Sequence, residues 1–248
     1  MIINEIIIIG GGNSIKEGIS LGLKDRIKDK FVIACNYAGV PLKDNNHYFE
    51  NTFLCCIDDE FYKSTDLKEH PNIYEELKNL PLIICAEKNK FYEIKFPNTI
   101  LLKKDKEYHR ENSLIKGFYL PVILTGIFAL SLASYLINFN GTIYLLGYDW
   151  SKRIINNPTP VETHYYSKNE INHKGQLHTN WYEKHNPDKY FKTFLNESNL
   201  KIYNVIGTPI SNIDSFEKID YLTMFQTLSN VRYNQEELRT YIRRKLCI

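Results

Sequence analysis

The chain opens on Glu5-Ile6-Ile7-Ile8-Ile9, a β-branched run in which apolar positions do not alternate with polar ones. Such a run predicts a strand covered on both faces, as in a parallel sheet. Gly10-Gly11-Gly12-Asn13-Ser14 follows, and a helix is predicted from about Asn13, because Ser14-Ile15-Lys16-Glu17 matches a capping box. Phe31–Cys35 predicts a second strand ending at Asn36, and Thr52–Ile57 a third ending at Asp58-Asp59. Leu82–Ala86 predicts a fourth strand and Asn98–Lys103 a fifth, with helical material over Asp59–Asn79 interrupted at Pro71.

The clearest helix lies in the middle. Thr125 suits its N-cap, and Ile127, Leu130, Ala133, Ser134 and Ile137 share one face at three- and four-residue spacing. Asn140-Gly141 is the expected C-terminal stop. Thr142–Leu146 predicts another strand, ending in Gly147-Tyr148-Asp149-Trp150. The stretch 151–186 has no core periodicity and is rich in Asn, His, Tyr and Pro, which suits a lid or binding loop. A helix at Pro187–Asn196, a strand at Lys201–Ile206 and a C-terminal helical region over about 220–248 complete the chain. Strands alternate with helices throughout, so the class is α/β, with a mostly parallel sheet, helices on both faces and one domain over 1–248.

In open parallel sheets, ligands collect at the carboxyl ends of the strands. Those ends hold Gly10–Ser14, Asn36, Asp58 and Asp59, and Asp149. The glycines allow close approach to the backbone, and a helix start offers free N–H groups to a phosphate. GGGNS is neither GxGxxG nor a P-loop, and a plain tight turn is the bland alternative. Thr125-Gly126 is a second candidate anion site, on a helix whose apolar face suits an ordinary core. Within the 151–186 stretch stand His164, Tyr165, Tyr166, His173, His178, Tyr182 and His185. The histidine spacings fit no standard zinc pattern, and an imidazole titrating near neutrality suits a general base; solvated loop histidines are the alternative. Gly-x-Ser-x-Gly is absent, which argues against a serine hydrolase.

Composition narrows the classes further. Lys+Arg number 31 against 29 Asp+Glu, a balance unlike a nucleic-acid binder's. No apolar run reaches the roughly 18–20 residues of a membrane span, and Met1–Gly12 lacks the basic region and cleavage site of a signal peptide. Cys35, Cys55, Cys56 and Cys85 sit in apolar runs without CxxC spacing, which suits buried, reduced thiols and a cytoplasmic setting. Arg239, Arg243, Arg244 and Lys245 follow Glu236 and Glu237 and read as a solvated helix, with weak membrane-surface contact as the lesser reading.

Taken together, the Gly-rich turn before Ser-hydrophobic-Lys-Glu, the strand ending Cys35-Asn36, the Thr125-Gly126 helix and the strand ending Leu146-Gly147-Tyr148-Asp149-Trp150 resemble the Campylobacter-type bacterial sialyltransferases. Parts of the pattern are similar to the flagellin-modification family, to archaeal 6-hydroxymethylpterin pyrophosphokinases and to phage-encoded proteins. The resemblance spans about residues 5–215 and implies a Rossmann-like fold. It implies a metal-independent glycosyltransferase, needing no cofactor, that joins a nucleotide-linked sugar (a CMP-linked one among the candidates) to a glycan hydroxyl. Gly10, Gly11, Gly12, Asn13, Ser14, Asn36, Thr125 and Gly126 would then hold the nucleotide. Tyr165 or Tyr166 would hold donor phosphate, and His178 would be the base, with His173 and His185 behind it. The chain departs from that pattern at Gly11, at Asn13, at Asp58-Asp59 where the family has Asn, and at the arginine before Thr-Ser-Gly, whose nearest counterpart is Arg110. Two rival expectations follow. One is a pyrophosphokinase-type enzyme whose Mg²⁺ is held by Asp58, Asp59 and Asp149. The other is a non-enzymatic interaction module, virus-encoded or self-associating as a homo-oligomer, which an aromatic content of 13% would suit.

Overall fold

A computed structural model of the chain describes residues 1–36, 38, 51–56, 83–86, 99–102, 125–149, 191, 199–207, 211 and 213–246. Its strands are β1 (Glu5–Ile9), β2 (Val32–Cys35), β3 (Thr52–Cys56), β4 (Ile83–Ala86), β5 (Thr99–Leu102), β6 (Asn140–Leu146), β7 (Asn199–Ile206) and β8 (Glu217–Asp220). Its helices are α1 (Ile15–Ser20), α2 (Leu23–Ile27), α3 (Thr125–Leu136), α4 (Tyr221–Thr227) and α5 (Gln235–Lys245).

The strands form one sheet in the order β5-β4-β3-β2-β1-β6-β7-β8, and every neighbouring pair is parallel. This is the α/β, Rossmann-like arrangement expected from the sequence. β1 runs through the centre, with Ile8 opposite Ile33 on one side and Leu145 on the other. All five of its residues are buried. Ile6 and Ile8 point into one core with α3, while Ile7 and Ile9 point into the other with α1, α2 and α4. Two covered faces explain why the run needs no polar alternation.

Three local expectations are corrected. α3 has no exposed polar stripe: Phe128, Ala129, Ser131 and Leu132 are buried beside the predicted face. α5 meets the carboxyl end of α3, with Leu238 and Ile242 in the same core and the Tyr241 hydroxyl donating to the Leu136 carbonyl at 2.5 Å. Buried serines are accommodated because Ser131 and Ser134 donate back to Ile127 and Leu130 carbonyls. The chain reverses at Asn138 and Phe139, both with φ of 54°, so Asn140-Gly141 already belongs to β6. Gly141 is needed there because a Cβ would lie 2.5 Å from the Asn4 carbonyl oxygen. Finally, β8 was not expected: Glu217-Lys218-Ile219-Asp220 carries charges where an edge strand tolerates them.

At the amino ends of the central strands, the segment before α5 is laced to the sheet. The Glu5 carboxylate accepts from the Ser229 N–H and hydroxyl, both at 2.9 Å. Lys30 donates to the Ser229 and Val231 carbonyls, and Asn51 to the Tyr233 carbonyl. Among the described residues, no helix is long and apolar enough to cross a membrane.

Candidate functional site

Strand order reverses at β1: the chain steps outward from β1 through β2 to β5, then returns to β6 on the other side of β1. At such a switch point the loops leaving the two strands part in opposite directions and leave a crevice above their carboxyl ends. Here those loops are Gly10–Ser14 after β1 and Gly147–Asp149 after β6, and together they form one wall. The two turns are joined by backbone, with Gly10 N–H donating to the Leu146 carbonyl at 2.7 Å and Gly12 N–H to the Gly147 carbonyl at 2.8 Å. That closeness is why the turn is glycine. A Cβ on Gly12 would lie 2.5 Å from the Asp149 carboxyl, and one on Gly10 would lie 2.8 Å from the Gly147 oxygen.

Asp149 is buried, 4% exposed, and its carboxylate reaches the start of α1. It accepts from the Ser14 backbone N–H at 2.8 Å and, on its other oxygen, from the Ser14 hydroxyl. The expected capping box is not formed: Ser14 has helical backbone angles, φ −57° and ψ −22°, where an N-cap is extended, and it makes no side-chain cap within α1. Burial pushes the Asp149 carboxyl above its ordinary range, and the Ser14 hydrogen bonds pull against that shift. Tyr221 of α4 lies behind this pair, its ring packed where a side chain on Gly18 would stand. Burial raises its phenol well above the ordinary value, and the Asp149 charge adds to the shift.

On the β2 side, Asn36 ends the strand with φ of 52°, a left-handed conformation that asparagine tolerates better than most residues. The Thr125 hydroxyl donates to the Asn36 side-chain oxygen at 3.4 Å, so two of the predicted residues meet across the crevice. Thr125 is the first residue of α3 and directs its hydroxyl to Asn36.

Between these walls lies Tyr148, which the sequence reasoning passed over as a strand-end aromatic. Its ring stands 3.2 Å from the position of a Cβ on Gly10 and 3.1 Å from one on Gly126. Its hydroxyl donates to the Gly126 carbonyl at 3.0 Å and lies 3.8 Å from the Cys35 sulfur. Tyr148 thus forms the crevice floor, linking the β1 turn to the start of α3. The only signal for it in the sequence is its place between Gly147 and Asp149, a bulky residue in an otherwise small and polar turn. Cys35 is a buried thiol pushed up to about 12 by desolvation, opposed by the Tyr148 hydrogen bond.

The structure therefore brings Gly10, Gly12, Ser14 and Asp149 together at one wall, and Asn36, Thr125 and Gly126 at the other. Gly11 and Asn13 lie between them in the same turn, half-buried. Asp58, Asp59, Tyr165, Tyr166, His173 and His178 lie outside the described residues, as do His164, Tyr182 and His185.

No protein-family model matches the chain, and no curated protein sequence matches it. Among solved structures it is similar to the MAf glycosyltransferase from Magnetospirillum magneticum AMB-1, with a TM-score of 0.57 and 14% identity over 99% of this chain. The chain spans 38% of that protein's length. At this identity the likeness is one of fold, and that fold is found in a glycosyltransferase.

Proposed function

We propose that the chain is a glycosyltransferase that binds a nucleotide-linked sugar in the crevice at the carboxyl ends of β1, β2 and β6. The observation that supports this reading is the convergence of Asn36, Thr125 and Gly126 with the β1 glycine turn at the point where strand order reverses. Half-buried Gly11, Asn36 and Gly126 carry backbone and amide groups there, the kind of neutral donors and acceptors that nucleotides engage. In this reading the acceptor hydroxyl attacks the anomeric carbon, the bond to the nucleotide phosphate breaks, and His178 takes the hydroxyl proton. Tyr165 or Tyr166 steadies the departing phosphate, and the transfer proceeds without a metal. The glycosyltransferase likeness of the fold agrees with this reading.

The Mg²⁺-dependent pyrophosphokinase reading fits less well. It enlists Asp149, whose two carboxylate oxygens are already held by Ser14, so a cation there would have to break a buried pair. Thermal-shift titration separates the two. A nucleotide sugar at a hundredfold excess over its Kd is expected to raise the midpoint by about 5–10 °C without metal. Stabilisation by ATP alone, and only with Mg²⁺, would overturn the proposal. A His178→Ala protein that keeps full transfer activity would remove the base assignment while leaving the crevice in place.

A further inference from the structure

The crevice floor is held from behind by two residues that do not line it. Beyond β7 in sequence, the Ser211 hydroxyl donates to the Tyr148 carbonyl at 2.6 Å. A serine hydroxyl has one proton and two acceptor sites. With its proton spent on Tyr148, Ser211 can only accept from its other neighbours, which are the Ile213 N–H at 3.1 Å and the Asn204 amide nitrogen at 2.8 Å. The hydroxyl is therefore saturated, and the orientation of the Asn204 amide follows from it. Asn204 is fully buried, and among the described residues its side-chain oxygen has no hydrogen-bond partner and its amide nitrogen is held by Ser211, a bond that offsets part of the cost of burial. Tyr148 is consequently pinned at both ends, its carbonyl by Ser211 and its hydroxyl by Gly126.

We propose that Ser211, whose hydroxyl also anchors the Asn204 amide, is a positioning residue that sets Tyr148 and through it the spacing between the β1 glycine turn and the start of α3. The role rests on the crevice being the ligand site, but the position of the turn can be read without any ligand. Gly12 N–H donates to the carbonyl of Gly147, the residue next to Tyr148, so its hydrogen exchange reports on the floor directly.

The test uses the full chain in three variants, Ser211→Ala, Asn204→Leu and the double Asn204→Leu/Ser211→Ala. Ser211→Ala strands the Asn204 amide and frees Tyr148, so it loses stability and Gly12 exchanges about tenfold faster. The double variant removes the stranded amide and regains that part of the lost stability, while the Tyr148 carbonyl and the Ile213 N–H remain without their Ser211 partner. Its Gly12 exchange stays fast and its affinity for CMP stays about tenfold weak, because Tyr148 is still unpinned. Asn204→Leu alone keeps the Ser211 bond and near-native exchange at Gly12, and Ser211→Thr restores it. Exchange and affinity that return to wild-type values in the double variant would show a purely structural role and overturn the proposal. If the wild-type chain binds no nucleotide, the ligand-site reading fails, while the exchange pattern still decides whether Ser211 positions the floor.

Discussion

Asp149 couples the crevice to pH. Its folded-state carboxyl titrates above the ordinary value of 3.8, so between those two values the folded chain binds more protons than the unfolded chain. Stability from this group therefore rises as pH falls from the raised value toward 3.8 and is lost as pH climbs through the raised value. Asp149→Asn, which keeps an acceptor for the Ser14 N–H, should flatten that part of the pH–stability curve measured by chemical denaturation. An unchanged curve would show that another group titrates there. Glycines give a sharper contrast. Gly12→Ala drives a Cβ into Asp149 and the Gly147 oxygen and is expected to cost about 2–3 kcal/mol. Gly22 sits at φ of 86° with nothing within 4 Å, so Gly22→Ala should cost only the left-handed strain, about 1–2 kcal/mol. Equal losses in denaturant midpoints would contradict the crowding argument. Cys35 and Cys55, buried with raised thiols, should resist alkylation in the native protein and react only on unfolding. Buried thiols were legible in the apolar runs around them. The Asp149–Ser14 bond was not, because residues 135 positions apart meet only when β1 and β6 pair.

Helix starts show what local sequence can and cannot say. Asn234 caps α5 by accepting from the N–H groups of Glu236 and Glu237, and Asn234→Ala should cost about 1 kcal/mol in thermal unfolding. Asp220 caps α4 through the Thr223 N–H, which lowers its carboxyl below the ordinary 3.8. Its contribution is present above that value and fades as pH falls through the lowered one, opposite in sign to Asp149. Losing the cap in Asp220→Ala should remove the acid-side slope. At α1 Ser14 already has helical backbone angles, φ −57° and ψ −22°, and its side chain makes no cap. The apolar periodicity of α3 identified the helix and one face. It missed the others because ten of the twelve residues of α3 are buried, which a one-face pattern does not predict.

Across the whole molecule, the two ends of the sheet do different work. The carboxyl ends of β1, β2 and β6 meet at the crevice, while Glu5, Lys30 and Asn51 lace the 229–233 segment beneath the amino ends. Lys30→Met would leave two carbonyls without their donor and is expected to lower stability by about 1–3 kcal/mol without changing nucleotide affinity, since it lies at the far end of the strands. A loss of affinity matching the loss of stability would argue that the two ends are not separable. The amino-acid order alone determined seven of the eight strands, their parallel class and the polar residues at their ends, because covered β-branched runs and the turns that stop them are local patterns. Only the tertiary structure decided that Asp149 satisfies Ser14, that Thr125 finds Asn36, that Tyr148 forms the floor and that Ser211 holds it. Each of these contacts joins residues brought together by strand order, and strand order is set by how distant segments share one core.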